Sequence, residues 1–202
     1  MLTLYHAPRS RSSRIVRLLD ELDALDKVKI QIVTIPRIDG SGGTDKANPH
    51  LEGKVPMLTD DGAEVWESSA IIQYLCECFP EAGLAPQPGE PGRGAYLSWM
   101  AYYGDVLEPL MMMKAMNVEH PLVHRTWRDF GAVTARLAAA LEAHPFLLGE
   151  TYSAADLLMV SAFSWNPSAI PDVPAIRDWV ARCEERPSAA RLVAFEEEAL
   201  AG

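Results

Sequence analysis

Gly53-Lys54-Val55-Pro56-Met57-Leu58 and Glu67-Ser68-Ser69-Ala70-Ile71 are the two runs on which the reading of this 202-residue chain turns. Between them, Val55–Leu58 and Glu64–Trp66 flank Asp60-Asp61-Gly62, which is a hairpin signal because Gly supplies the positive φ that tight turns need. Pro56 heads the first of these strands, and a residue without an N–H belongs at a sheet edge or at a special peptide bond. X-Pro is the one linkage where cis costs little. A cis bond here would turn the Val55 backbone outward, ready to pair with an extended ligand as a strand would; an ordinary trans proline heading an edge strand also fits the dipeptide. Glu67-Ser68-Ser69 opens a helix carrying Ile71, Ile72, Leu75 and Phe79. At that helix start the open N–H groups and the positive dipole end attract a carboxylate, while Glu67 can accept from an ammonium. The site therefore suits a zwitterionic amino-acid head, although plain capping also explains Ser and Glu there.

Upstream of these runs the chain alternates strand and helix signals. Leu2–Tyr5 reads as a strand, Ala7-Pro8 ends it, and Ile15, Leu18, Leu19 and Leu22 form the apolar stripe of a helix. Residues 29–33 alternate as a second strand, and the glycine-rich stretch 37–49 reads as a loop. The order is β-α-β, loop, β-β-α. Residues 80–94 then hold four prolines and four glycines, the composition of an exposed linker. Beyond them only helical patterns remain, at roughly 93–117, 121–143, 153–164 and 173–185, with a weak final one. The reading is an α/β domain followed by an all-α domain.

With 18 basic residues against 28 acidic ones, the net charge is −10, which argues against nucleic acid or an anionic membrane as a partner. The 49% hydrophobic content excludes intrinsic disorder. Cys76, Cys78 and Cys183 make no C-x-x-C pair, disulfide framework or zinc pattern, so a reducing cytosol is expected. Neither a leader pattern nor a membrane-length apolar run is visible, and a soluble cytoplasmic protein is the expectation. The charge is uneven, however. Residues 1–19 contain Arg9, Arg11, Arg14 and Arg17 and no acid. Pro8-Arg9-Ser10-Arg11-Ser12-Ser13-Arg14 lies between the first strand and the first helix, where hydroxyls, amides and arginines together favour an anion such as a thiolate. Lowering a thiol from about 8.5 to about 6.5 takes roughly 2.7 kcal/mol of preferential stabilisation, within reach of a charge-assisted O–H···S bond plus a helix end. Ser12 or Ser13 could simply cap the helix, which leaves Ser10 as the hydroxyl least explained by capping. No His and Asp accompany these serines in the pattern of a serine hydrolase.

In the second half, Phe146-Leu147-Leu148-Gly149 is followed by Tyr152-Ser153-Ala154-Ala155-Asp156-Leu157, in which Ser153 and Asp156 have capping-box spacing with Tyr152 and Leu157 at the staple positions. Taken in order and spacing, these motifs resemble the cytosolic glutathione transferase superfamily over essentially the whole chain. The resemblance implies a thioredoxin-like glutathione-binding domain at 1–80, a linker at 81–94 and an all-α domain at 95–202 that covers an electrophile site. It implies that Val55 pairs with the cysteinyl part of glutathione, with Pro56 cis, that Glu67 and Ser68 hold the γ-glutamyl head, and that Lys54 lies beside the peptide. By its distance before Arg14-Ile15-Val16, Ser10 resembles the catalytic serine of the serine-type classes. Tyr5 holds a place similar to that of the tyrosine-type classes, and Ser12 is a third candidate. A cysteine-type mechanism is disfavoured because no cysteine precedes Cys76. Trp99, Tyr102, Tyr103 and Met111, with Met112 and Met113, would line the electrophile pocket, or equally fill a buried helix face. The family's His-Lys or His-Gln pair for the glycine carboxylate is missing, leaving Arg37 and Lys46. The implied activity is conjugation of glutathione to a hydrophobic electrophile in detoxification, by a homodimer, with glutathione as co-substrate and no resident cofactor or metal. Glutathione-dependent disulfide or peroxide reduction, or a non-catalytic binding role, are the alternatives.

Overall fold

The computed structural model describes residues 1–201, and the chain divides into two compact units: Met1–Ala82 together with the stretch from Arg186 onward, and Gly83–Glu185. The first unit begins with β1 (Leu2–His6), α1 (Ser13–Glu21), β2 (Lys29–Ile32), β3 (Met57–Asp60), β4 (Ala63–Trp66) and α2 (Ser68–Cys78). Its sheet runs β2-β1-β3-β4, with β1 and β2 parallel and β3 antiparallel to both β1 and β4. The parallel pair needs a crossover, which α1 supplies. This is the thioredoxin-like order read from the sequence. Leu4 on β1, Ile15, Leu18 and Leu19 on α1, and Ile71 and Leu75 on α2 are all fully buried; each contributes about 1.5–3 kcal/mol through burial. Residues 55–58 differ from expectation in one respect. The strand begins only at Met57, because Pro56 has no N–H to give and the pairing with β1 starts at Tyr5↔Met57.

The second unit is helical: α3 (Arg93–Tyr102), a π-helical turn (Tyr103–Leu107), α4 (Glu108–Ala115), α5 (Pro121–Thr126), α6 (Phe130–Leu141), α7 (Ala154–Trp165) and α8 (Pro174–Glu184). The expected helix 93–117 is interrupted by the π-helical turn, where the Asp105 carbonyl accepts a bond from Trp127 Nε1 at 2.6 Å. The expected helix 121–143 is two helices. Arg128 adopts a φ of 66°, and the Asp129 carboxylate accepts from the Ala132 N–H at 2.9 Å to open α6.

The weak final pattern is α9 (Pro187–Ala201), the longest helix among the described residues. Its place in the chain assigns it to the all-α domain 95–202; it packs instead on α1, within the first unit. Its only fully buried residue is Ser188, and its anchors are polar. Arg186 donates to both carboxylate oxygens of Glu21 at 2.7 and 2.5 Å, Ser188 donates to Glu21 at 2.5 Å, Arg17 Nε donates to Ser188 at 3.2 Å, and Arg191 pairs with Asp20 at 2.8 Å. Burial pushes the Glu21 carboxyl up, but the bonds from Arg186 and Ser188 more than offset this and hold it below its ordinary value.

At the start of α7, Ser153 and Asp156 form the expected reciprocal capping box. The fully buried Asp156 carboxylate reaches further. It accepts from the Ser153 N–H and hydroxyl at 2.9 and 2.7 Å, from the Leu147 N–H at 2.9 Å and from Trp179 Nε1 at 2.9 Å. Asp156→Ala strands these donors in the core and should cost about 3 kcal/mol or more, read as a lowered denaturation midpoint by tryptophan fluorescence.

Candidate functional site

Three segments meet at one end of the sheet. The β1–β3 ladder ends at Tyr5↔Met57 and the β3–β4 ladder at Met57↔Trp66, with Ala7, Val55 and Ser68 each two residues beyond these last pairs. Ala7, Val33 and Val55 form a buried cluster against which Tyr5 and Ile35 pack. The Val55–Pro56 bond is cis, as the resemblance implies. Buried Asn48 supports the approach by donating to the Lys54 carbonyl at 3.0 Å. Lys54 itself is exposed and ion-paired with Glu52, which raises its pKa.

Glu67 precedes α2 at φ 68°, ψ 129°, is exposed, and makes no capping hydrogen bond. Plain capping therefore does not account for it. A non-glycine residue in this region costs of the order of 1–3 kcal/mol and persists where the surroundings impose it. Ser68, next in the chain, is buried.

The serines between β1 and α1 separate clearly. Ser12 is fully buried, with its oxygen 2.8 Å from His6 Nδ1, 2.8 Å from Ser10 Oγ and accepting from the Ala7 N–H at 3.1 Å. An oxygen so enclosed cannot face a ligand, so Ser12 drops out as a catalytic candidate. Ser13 Oγ accepts from the Ser10 N–H at 3.2 Å and donates to Glu196 of α9. Ser10 is half-buried, donates to the Ala7 carbonyl at 2.7 Å and accepts from the Ser12 N–H at 3.2 Å. Tyr5 alternates with Leu4 and His6 along β1 and so lies on the opposite face of the sheet from them.

The arginine run is divided between the fold and the surface. Arg17 is buried and bonds Ser188 of α9, Arg14 is buried, and Arg9 and Arg11 are exposed. Nor is the region acid-free in space, since α9 brings Glu196 to it. Arg37 donates to the Pro8 and Arg9 carbonyls at 2.7 and 3.4 Å and is thereby committed to the loop, while Lys46 is exposed.

Two residues here carry no motif in the sequence. Glu196 begins the run Glu196-Glu197-Glu198, which reads as a solvated face. His6 is fully buried, its Nε2 has no hydrogen-bond partner and lies 3.9 Å from Glu196, and its ring faces Phe195. Burial depresses its pKa from 6.5 to about 4. The only sequence signal was that it shares a strand face with Leu4.

In the helical unit Tyr103 and Met111 are 2% and 4% exposed and fill the core, the packing alternative of the sequence reading. Trp99 and Tyr102 are half-buried and stacked edge to face at 5.7 Å, with the Arg136 guanidinium 5.2 Å from the Tyr102 ring. Among the described residues no cluster of His, Cys, Asp or Glu could hold a metal ion, and no helix is long and apolar enough to cross a membrane.

A thioredoxin-like sheet with an open helix start and a cis-proline at one end, followed in sequence by an all-α unit, is the architecture the sequence resemblance implies. Residues 4–83 match the family model of the glutathione S-transferase N-terminal domain, and residues 103–187 that of the C-terminal domain. The chain belongs to the cytosolic glutathione transferase superfamily. Glutathione S-transferase 3 of Schizosaccharomyces pombe is 31% identical over 111 residues, 55% of this chain and 44% of that protein, so the chain matches less than half of that relative. The disulfide-bond oxidoreductase YfcG of Escherichia coli is 27% identical over 93% of this chain and 92% of its own. A glutathione transferase crystal structure from Methylococcus capsulatus superposes with a TM-score of 0.77 at 26% identity, covering 98% of this chain and 99% of its own.

His6 gives stability a pH signature. Folded, it stays neutral down to about pH 4; unfolded, it titrates near 6.5, so between those values the unfolded chain binds more protons. Stability should fall as pH drops through this window, by up to about 3 kcal/mol from this group. The difference in unfolding free energy between wild type and His6→Asn, measured from pH 7 to 4, should show that slope.

Proposed function

We propose that this protein is a glutathione transferase that binds glutathione at the end of the sheet formed by Ala7, Val55 and Ser68, stabilises its thiolate beside Ser10, and transfers it to a small hydrophobic electrophile. The observation that carries the reading is Glu67. It is exposed, makes no cap, and is held at a positive φ at the open start of α2, next to Ser68, just beyond the last β3–β4 pair. In this reading Glu67 accepts from the γ-glutamyl ammonium, the α2 amides and Ser68 take its carboxylate, the Val55 backbone pairs with the cysteinyl residue, and Lys54 lies beside the peptide. Ser10 exchanges its bond to the Ala7 carbonyl for one to the sulfur. The thiolate attacks carbon, the leaving group departs with the electron pair, and the rate gain comes from ionisation and proximity. Of the four pocket candidates, Trp99 and Tyr102 are the half-exposed pair. A homodimeric, cytoplasmic, detoxifying role is the family's usual setting and is part of the proposal.

Similarity to YfcG along nearly the full chain favours a second reading, reduction of disulfides with glutathione supplying the thiols. A chloro-nitroaromatic and a glutathione mixed disulfide, assayed side by side, separate the two. Ser10→Ala should lower conjugation at least about tenfold, the equivalent of one pKa unit in the thiol; an equal rate removes Ser10 from the mechanism. Glu67→Ala should raise KM for glutathione with a smaller change in kcat, and unaltered retention on immobilised glutathione would exclude its role.

A further inference from the structure

Helix α9 delivers one carboxylate to the serine loop. Glu196 has a side chain only 12% exposed, unlike its neighbours Glu197 and Glu198, which are exposed. Its Oε1 accepts from the Arg9 N–H at 2.9 Å and from the Ser13 hydroxyl, whose oxygen in turn accepts from the Ser10 N–H at 3.2 Å. The successive amides of Arg9 and Ser10 are thus tied to a single carboxylate, one directly and one through a hydroxyl. Arg9 sits at φ 55°, a conformation that needs such support. Opposite, Arg37 holds the Pro8 and Arg9 carbonyls. The Arg186–Glu21 and Arg191–Asp20 pairs fix α9 along α1, which sets where Glu196 meets the loop. The charged and titratable groups facing this point include Glu196 from α9, Arg9, Arg11 and Arg37 from the loops, Arg14 and Arg17 from α1, and His6 from β1, its Nε2 3.9 Å from Glu196.

We propose that Glu196 is a positioning residue for Ser10, holding the turn from Pro8 to Ser13 so that the Ser10 hydroxyl stays beside Ala7, at the end of the sheet where Val55 and Glu67 lie. The proposal rests on the reading that Ser10 stabilises the glutathione thiolate. It assigns to the C-terminal helix, through a residue that touches neither substrate, control over how strongly the thiol ionises.

The test uses full-length wild type, Glu196→Ala, Glu196→Gln, Ser10→Ala and the Glu196→Ala/Ser10→Ala double variant, each saturated with glutathione and titrated by the ultraviolet absorbance of the bound thiolate. This readout serves whichever reaction the thiolate goes on to perform. Glu196→Ala should raise the thiol pKa by about one unit, an approximately tenfold loss of thiolate below the titration midpoint. Its KM for glutathione should stay within about threefold, since the γ-glutamyl contacts are untouched. Glu196→Gln keeps an oxygen that can accept both bonds and should titrate close to wild type. On the Ser10→Ala background, Glu196→Ala should add nothing. A wild-type titration for Glu196→Ala, a Gln variant as impaired as the Ala variant, or a full-sized effect on the Ser10→Ala background each overturns the proposal. If Ser10→Ala itself titrates as wild type, the Ser10 reading fails first, which is a distinct result. Should Glu196→Ala not fold, Ser13→Ala leaves α9 anchored and cuts only the link to the Ser10 amide; it should shift the titration in the same direction, and an unshifted titration overturns the proposal.

Discussion

A proline has no amide hydrogen to give, and at position 56 this ends the ladder between β1 and β3 at Met57. Everything proposed about the site depends on that stop. Because pairing ends there, Val55 lies beyond the last paired residues of β3, packed with Ala7 in one buried cluster. The loop after Ala7 and the turn into α2 therefore open onto the same edge. The two helices that begin there present their starts to it, and a residue at each start departs from ordinary backbone geometry: Arg9 before α1 and Glu67 before α2. Such departures cost free energy in each case, and both residues lie where the site is expected.

Legibility in the sequence followed the physics of each element. The β-α-β and β-β-α order could be read because β1, α1 and α2 bury apolar side chains at strand or helix spacing, and the hairpin because Gly62 supplies the turn's positive φ. Helix α9 was faint for the opposite reason. Its attachment to α1 runs through Arg186, Ser188 and Arg191, which hydropathy counts as solvent-facing. The break at Tyr103–Leu107 had a signal in Pro109, which has no N–H to give the Asp105 carbonyl one turn back, whereas the break at Arg128 contains neither proline nor glycine.

At the site, residue type was legible and residue role was not. Ser10, Ser12 and Ser13 are chemically equal in a sequence, and only burial distinguishes the enclosed Ser12 from the half-exposed Ser10. Tyr103 and Tyr102 are neighbours on one helical turn, yet one fills the core and the other meets Arg136. Long-range partners were out of reach altogether. Glu196 lies 187 positions from Arg9 along the chain, and no local pattern could have paired them.

Each unit also contains a buried carboxylate surrounded by donors, Glu21 in the first and Asp156 in the second. The partners of Asp156 all come from within 23 residues, whereas Arg186 and Ser188 lie 165 and 167 residues beyond Glu21. On a ribosome this difference sets an order. The helical unit can satisfy its central acid as soon as Trp179 has emerged. Glu21 on α1, although made early, lacks Arg186 and Ser188 until synthesis has passed residue 188. The first unit to be translated is therefore the last to be completed.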